Sequence, residues 1–187
     1  LMDVERCAGS LGQLAIRSDM IEVPVGIDDC YNSEITLLQL RKNTFGVITA
    51  DVTGHGIPAA LIASMLKVAF HFEAASSRSP AAILQSINRI LTGKFRHGYL
   101  TAAFASVDLL TKKMTVATAA HPSVFALNRT TGVIDEIRGR GKLIGLRPEI
   151  ECSEVEYDLS PGTRVIFYTD GITEARNQDG EIFDDSR

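Results

Sequence analysis

The chain has 187 residues, of which 45% are hydrophobic and 22% are charged, and its formal net charge is −4. This length and apolar content allow one substantial core, so we expect a single domain over residues 1–187. A mildly acidic chain without a run of lysine and arginine is a poor match for a nucleic-acid groove or a polybasic membrane patch. We therefore expect neither nucleic acid nor a membrane as a partner.

The sequence also indicates a reduced, cytoplasmic environment. Its apolar stretches fall short of the roughly 18 residues that span a bilayer, and its start lacks the charged-then-apolar pattern of a secretory signal. Cys7, Cys30 and Cys152 are too far apart for the paired spacing of zinc sites or disulfide frameworks. Cys-x5-Arg, P-loop and Gly-x-Ser-x-Gly motifs are absent from the sequence, which excludes the standard nucleophile and nucleotide loops.

The first elements in chain order are two apolar, β-branched segments, ITLLQL (35–40) and FGVITADV (45–52). A polar turn separates them, so they predict a β-hairpin. Residues 9–25, which precede them, give no clear prediction.

Two helices are predicted next. Pro58 suits the first turn of one helix, and Ser79-Pro80 suits the cap and first turn of the other. Apolar residues recur at helical spacing in both, as Leu61, Met65, Val68 and Phe72 and as Ile83, Ile87, Ile90 and Leu91. Periodicity cannot distinguish a core face from an interface, so a homodimer through these helices is left open.

Strands resume after the second helix. LTAAFASVDLL and MTVATAA predict one hairpin, SVFALN and GVIDEI predict another, and RVIFYT runs directly into Asp170-Gly171. We find no internal repeat or linker. Strands and helices grouped in this way indicate an α+β fold with antiparallel sheets and helices packed outside them.

Carboxylates at strand ends are the clearest chemical signal. VITADVTGHG places Asp51 in a turn after an apolar strand, VIFYTDGITEA does the same for Asp170, and VGIDDCYN contains Asp28-Asp29. If such carboxylates converge, they repel one another unless a cation lies among them, and hard oxygen donors favour Mg²⁺ or Mn²⁺. Singly, each has a simpler explanation: a turn residue, a helix cap or a solvated loop.

Glycines lie beside two of these aspartates. Gly54 and Gly56 follow Asp51, and Gly171 follows Asp170. Because glycine lets a backbone approach a ligand closely, these neighbours favour a functional site.

Four short motifs occur in order: IDDCYN (27–32), DVTGHG (51–56), AHP (120–122) and YTDGITEA (168–175). The series resembles the bacterial PPM, or PP2C-type, serine/threonine phosphatases of the branch with RsbU- and SpoIIE-like sigma-factor regulators. That branch usually shows Gly-Gly-Asp-Phe-Tyr-Asp, Asp-Val-Ser-Gly-His-Gly, Gly-His-Pro and Tyr-Thr-Asp-Gly-Val-Thr-Glu-Ala. The second and fourth motifs are specific in combination, whereas the first and third would be weak alone.

The resemblance implies a PP2C-like αββα sandwich, two mainly antiparallel sheets flanked by helices, with two Mn²⁺ or Mg²⁺ ions at one end. By carry-over from the family, Asp51 bridges both ions and the Val52 carbonyl binds one. Asp29 and Asp170 would each hold an ion directly or through water. In such sites a metal-bound water is ionised near neutral pH and attacks phosphorus.

A catalytic role for His55 is left open. Eukaryotic relatives use a histidine after Asp-Gly as a general acid, but here the spacing is Asp-x-x-Gly-His. The alternative is that His55 supports the helix start by hydrogen bonding. We expect His121 to order the turn that enters a strand rather than to touch the substrate.

Two parts depart from the family pattern. In the first motif Ile27 and Asp28 replace the two glycines and Asn32 replaces the last aspartate, so Asp28 is considered as a replacement ligand. Family members also continue into a helix and a strand whose Asp-Asp motif completes the metal site. Asp184 and Asp185 come too early for that motif, so we expect the family's last helix and strand to be lacking.

The function implied by the resemblance is a metal-dependent phosphoserine/phosphothreonine protein phosphatase. Its substrate would be a phosphorylated STAS-type anti-sigma-factor antagonist, and a sensor or receiver domain would precede it in the parent chain. Small phosphate esters are a further possible substrate class. The alternative is a catalytically weak or inactive PP2C-like domain that serves as a regulatory protein-binding module. The altered first motif favours that alternative, whereas the retained aspartates and glycines favour the enzyme.

Overall fold

The computed structural model describes residues 12–16, 21–25, 33–76, 79–95, 98–174 and 181–182. Within them, the strands are β1 (Gly12–Ile16), β2 (Ile21–Val25), β3 (Ser33–Arg41), β4 (Thr44–Val52), β5 (Leu100–Asp108), β6 (Lys113–Ala119), β7 (Val124–Asn128), β8 (Ile134–Ile137), β9 (Glu154–Asp158) and β10 (Thr163–Ile166). The helices are α1 (Ile57–Ser76), α2 (Pro80–Leu91) and α3 (Asp170–Thr173).

The strands form two five-stranded sheets. The first sheet has the order β1-β2-β10-β7-β8, and the second has the order β3-β4-β5-β6-β9. Neighbours are antiparallel except β2 and β10, which run parallel. The three predicted hairpins are confirmed as β3–β4, β5–β6 and β7–β8, whereas β1, β2 and β9 had no counterpart in the sequence prediction.

Strand β4 is buried on both faces, which explains its continuous apolar run. Phe45 and Val47 pack in a core cluster with residues of the first sheet, such as Val124 and Val165. The alternate positions Ile48, Ala50 and Val52 pack in a second cluster with the helices. Because side chains alternate along a strand, the odd-numbered positions of β4 face the layer between the two sheets.

Both long helices pack on the second sheet. Ser79 caps α2 as expected, since its side chain accepts a hydrogen bond from the backbone N–H of Ala82 at 3.1 Å. Among the described residues, the main contacts of both long helices are with the second sheet and with each other. The described residues therefore form an α+β sandwich with helices on one side, which confirms the two antiparallel sheets but only part of the expected αββα arrangement.

Helix α1 buries a different face from the stripe seen in the sequence. Its buried residues include Leu66 and Phe70, whereas Leu61, Val68 and Phe72 are 57–75% exposed. By length and composition this 20-residue helix could cross a membrane. The expectation that every apolar stretch is too short to span a bilayer is therefore wrong for this helix. Its residues Leu66 and Phe70 nevertheless pack against the sheet.

Candidate functional site

Asp51 is held near the end of the central strand β4. Its register partners are Ser33 on β3 and Thr101 on β5, so a strand flanks it on each side. The residue is half-buried, and its odd-numbered position faces the layer between the sheets. The sequence prediction of a carboxylate at the end of a buried strand is confirmed.

The turn after β4 is fastened to the start of β5 by Thr53. Its backbone N–H and its hydroxyl donate to the Tyr99 carbonyl at 3.0 and 2.8 Å, and the hydroxyl accepts from the Tyr99 N–H at 2.8 Å. Gly98 has φ +118°, and a Cβ there would collide with the Thr53 hydroxyl. This close approach requires glycine, and it fixes the backbone that carries Asp51 and Val52.

Gly54 and Gly56 surround the exposed His55. Their φ angles are +97° and +75°, in the left-handed region that favours glycine. A Cβ at either position would meet no atom of the described residues within 4 Å, so that part of the chain leaves space beside this turn. Helix α1 begins where the Ala60 N–H donates to the Gly56 carbonyl at 3.1 Å.

His55 itself makes no side-chain hydrogen bond within the described part of the chain. No hydrogen bond among the described residues therefore supports the interpretation that His55 stabilises the helix start. Its side chain is exposed to solvent.

Asp170 begins the short helix α3 rather than lying in a simple β-turn. Strand β10 ends at Ile166, and the Asp170 carbonyl accepts from the Glu174 N–H at 2.7 Å and from the Thr173 hydroxyl at 3.1 Å. The Asp170 side chain is exposed and Gly171 is half-buried. The carboxylate is thus presented at the surface by a hydrogen-bonded helical turn.

Asp51 and Asp170 lie at the same end of the sandwich. The chain leaves β6 at the end where Asp51 lies, because β4, β5 and β6 are successively antiparallel. It enters β7 after only four residues, and β7 is antiparallel to β10, so the carboxyl end of β10 lies at that end too. Each sheet therefore contributes one aspartate to this end.

His121 lies in the link between β6 and β7, close to both aspartate strands. Its Nδ1 is 2.7 Å from the Thr101 hydroxyl, and the residue is half-buried while its Nε2 is fully enclosed. Burial lowers the pKa of His121 from 6.5 to about 4, and a nearby backbone group of Tyr168 opposes this effect. The ring is therefore neutral at pH 7.

Two enclosed polar atoms in this region lack a hydrogen-bond partner among the described residues. They are His121 Nε2 and the hydroxyl of Thr49, which lies two positions before Asp51 on the same face of β4. Buried polar atoms are nearly always paired with protein, water or an ion. This end of the layer between the sheets thus has the polarity of a ligand site.

The SpoIIE family model, described as stage II sporulation protein E, matches residues 41–187. The chain belongs to this family of PP2C-type phosphatase domains. The match confirms the resemblance inferred from the four motifs.

Two curated relatives come from Bacillus subtilis strain 168. Phosphoserine phosphatase RsbU is 26% identical over 140 residues, or 74% of this chain and 42% of RsbU. Phosphoserine phosphatase RsbP is 24% identical over 170 residues, or 84% of this chain and 42% of RsbP. The chain thus spans about two fifths of each relative.

Solved structures confirm the PP2C-like fold. The SiaA-PP2C domain of Pseudomonas aeruginosa has a TM-score of 0.72 at 24% identity, with 83% of this chain and 63% of that one covered. RsbX, solved in complex with magnesium, has a TM-score of 0.59 at 13% identity, with 87% and 75% covered. At these identities the likeness extends to the fold alone.

The donor atoms available on the described residues are of the chemical types that hard divalent cations prefer. Asp51 and Asp170 offer carboxylates and Val52 offers a main-chain carbonyl, which are ligands typical of Mg²⁺ or Mn²⁺ rather than Zn²⁺. Within the part of the chain that the structure describes, no three His, Cys, Asp or Glu side chains cluster as a metal site. Asp28 and Asp29, the other predicted ligands, lie outside the described residues, as do Asp184 and Asp185.

Sequence reasoning missed Thr101 in this region, and it expected His121 only to order the turn that enters a strand. Thr101 carries no motif signal, and only strand pairing places it opposite Asp51. His121 stands in the third motif, but its burial and its bond to Thr101 depend on two strands that are distant in sequence. Cys152 is no rival nucleophile, since burial raises the pKa of its thiol to about 11.

Proposed function

We propose that this SpoIIE-family domain is a Mn²⁺- or Mg²⁺-dependent phosphoserine/phosphothreonine protein phosphatase. The observation that carries the proposal is the placement of Asp51 and Asp170 at one end of the layer between the sheets, one from each sheet. Two strand-end carboxylates would repel each other there, and a bound cation offsets that repulsion. The names of the relatives RsbU and RsbP, both phosphoserine phosphatases, support the same chemistry.

The residues would hold the cations with oxygen donors. Asp51 would bridge two ions, the Val52 carbonyl would bind one, and Asp170 and Asp29 would complete the set, with Asp28 as a further candidate. When bound, such ions supply an ionised water near neutral pH and neutralise the phosphate. No protein nucleophile is then required, which agrees with the absence of standard nucleophile motifs from the sequence.

The chain's own contribution is positioning. Flanking strands and the Thr53–Tyr99 hydrogen bonds keep Asp51 and Val52 in place. The open turn at Gly54 and Gly56 leaves room for a phosphorylated side chain to approach. We propose a secondary role for His55, which is exposed in that turn: it would donate a proton to the leaving oxygen.

The proposed substrate is a phosphorylated STAS-type anti-sigma-factor antagonist, in a cytoplasmic pathway regulated by a sensor or receiver domain of the parent protein. Support comes from the family and from the two phosphoserine phosphatases among the relatives. A small phosphate ester would use the same site, so the substrate must be tested separately from the chemistry.

The test is hydrolysis of p-nitrophenyl phosphate with and without Mn²⁺. We expect turnover that requires Mn²⁺ and that falls at least about 100-fold in Asp51→Asn, because one bridging charge is lost. Asp158→Asn is the matched control, since Asp158 ends β9 at the opposite end of the same sheet. Equal activity in the native protein and Asp51→Asn would contradict the assignment.

A non-catalytic binding module is the second candidate. It is favoured by the altered first motif, in which Ile27 and Asp28 replace two glycines and Asn32 replaces the last aspartate. Calorimetry separates the two candidates: Mn²⁺ binding that is lost in Asp51→Asn supports the enzyme. A folded protein that binds no Mn²⁺ and gives no turnover would leave the binding module.

A further inference from the structure

His121 joins the two halves of the candidate site. It follows β6 of the second sheet and precedes β7 of the first, so its backbone crosses between the sheets. Its Nδ1 hydrogen-bonds with the Thr101 hydroxyl at 2.7 Å, and a backbone group of Tyr168 lies beside the ring. One imidazole is therefore bonded to the second sheet and lies beside the segment that follows β10 of the first sheet, at the end where the aspartates lie.

On the second sheet, His121 contacts Thr101, which lies directly across from Asp51 on the neighbouring strand. Thr101 and Asp51 are direct register partners on β5 and β4, and both lie at odd-numbered positions that face the layer between the sheets. Side chains of such a pair are neighbours, typically with Cβ atoms about 5 Å apart. The Thr101 side chain, whose hydroxyl is bonded to His121, is thus the direct cross-strand neighbour of the Asp51 side chain.

On the side of the first sheet, the residue beside the ring is Tyr168, which comes two positions before Asp170 in the sequence. Tyr168 connects β10 to α3, the helical turn that presents Asp170. The ring, bonded to Thr101, therefore lies beside the segment that leads to Asp170.

The backbone just before the imidazole is strained. Ala120 has φ +52°, a left-handed conformation that non-glycine residues rarely adopt. Its N–H donates to the Gly141 carbonyl at 3.2 Å, which holds it there. Backbone strain of this kind concentrates at functional sites, where the surrounding structure maintains it.

We infer that His121 is a positioning residue of the metal site, which acts on Asp51 through its hydrogen bond with Thr101. The inference rests on the proposed function. The enclosed Nε2, which has no partner among the described residues, supports it, because an imidazole with only a packing role would be costly to bury with one nitrogen unpaired. Groups that orient metal ligands typically change metal affinity or activity 10- to 100-fold when removed.

The experiment measures Mn²⁺ affinity by calorimetry, and kcat and KM for p-nitrophenyl phosphate, in Thr101→Val, His121→Asn, His121→Leu and the Thr101→Val/His121→Leu double variant. We expect Thr101→Val and His121→Leu each to weaken Mn²⁺ binding about 10-fold or more and to lower kcat with little change in KM. The double variant should be no weaker than the worse single variant, because both remove one coupled contact. His121→Asn should recover part of the loss.

Thr115→Val is the matched control, because Thr115 lies on the neighbouring strand β6 at a half-buried position on the opposite face of the sheet. Its Mn²⁺ affinity should stay within about twofold of the native value. If the Thr101→Val and His121→Leu variants fold and keep the native Mn²⁺ affinity and kcat, this inference is overturned but the proposed function stands. A native protein that binds no Mn²⁺ would instead overturn the proposed function, and with it the site that His121 is inferred to serve.

A measurement on the native protein covers the case in which the His121 variants do not fold. Titration with Mg²⁺, followed by NMR of the imidazole groups, should shift the His121 signals saturably while those of the exposed His71 on α1 stay unchanged. Saturable Mg²⁺ binding without a shift at His121 would overturn the inference.

Discussion

The two ends of the sandwich use the same residue type in different ways. At the end remote from Asp51, the Asp108 carboxylate accepts hydrogen bonds from the N–H groups of Leu110 and Thr111 at 2.8 and 3.1 Å, and so closes its own turn. Asn128 does the same for Thr130 and Thr131 on the first sheet. These side chains serve the local fold.

At the other end, Asp51 lies on a strand flanked on both sides, and Asp170 lies exposed on a helical turn. Enclosed polar atoms of Thr49 and His121 have no hydrogen-bond partner among the described residues there. A strand-end aspartate therefore has a structural role where its oxygens accept hydrogen bonds from the N–H groups of the following turn. It is a functional candidate where enclosed polar atoms such as those of Thr49 and His121 have no partner among the described residues.

The largest expected difference between the ends is in activity. Asp170→Asn should lower Mn²⁺-dependent kcat/KM by about 100-fold or more, because a ligand charge is lost. Asp158→Asn, at the remote end, should change it less than about twofold. Steady-state kinetics at saturating Mn²⁺ check both values, and a similar loss in both variants would remove the contrast between the ends.

The second difference is in pH dependence. The His121 pKa is about 4 in the folded protein and 6.5 in the unfolded chain, so the unfolded chain takes up a proton first as pH falls. The stability that depends on the neutral ring is fully present above pH 6.5 and is lost progressively towards pH 4, by about 3 kcal/mol in total.

Urea unfolding at pH 7.5 and pH 4.5 measures this loss, with His121→Asn as the variant that lacks the titrating group. The native protein should lose more stability between the two pH values than the variant does. An equal loss in both would show that His121 does not carry the effect.

The third difference concerns glycine at the turn near Asp51. Gly98→Ala should destabilise the fold by about 2–3 kcal/mol, since φ is +118° and the new Cβ would collide with the Thr53 hydroxyl. Gly93→Ala is matched, with φ +78° but open space around its Cβ, and should cost about 1 kcal/mol. Urea unfolding gives both values, and equal costs would mean that the close approach at Gly98 is unimportant.

The smallest expected effect is a gain in stability. Ala120 occupies the position that is glycine in the family's Gly-His-Pro motif, and its φ is +52°. Ala120→Gly should relieve the strain and stabilise the fold by up to about 1 kcal/mol. Ala119→Gly, in the buried end of β6, should destabilise it instead. Opposite signs in thermal unfolding support this account, and a loss in both variants would contradict it.

Local patterns predicted much of the fold. The three hairpins and the Ser79-Pro80 helix start were found because turn residues and caps act over a few positions. Strand β9 was missed because EVEYD is a short edge strand whose charged residues are mostly exposed. The buried face of α1 could not be chosen from periodicity, because alanines pack against the sheet while larger apolar residues such as Phe72 face outwards.

For the site, sequence gave the two strand-end aspartates but not their neighbours. That Asp51 and Asp170 share one end follows from strand order across two sheets, which no local pattern encodes. The pairing of Thr101 with Asp51 and the bond from His121 likewise depend on register between segments that are distant in sequence.

The central claim is that divalent cations bind at the Asp51 end of the layer between the sheets. Crystals grown with Mn²⁺ and measured for anomalous scattering test it most directly. The account predicts Mn²⁺ within about 2.1 Å of an Asp51 carboxylate oxygen, with Asp170 coordinated directly or through water. Ordered Mn²⁺ away from Asp51, or a protein that turns over substrate with no ion at that end, would contradict it.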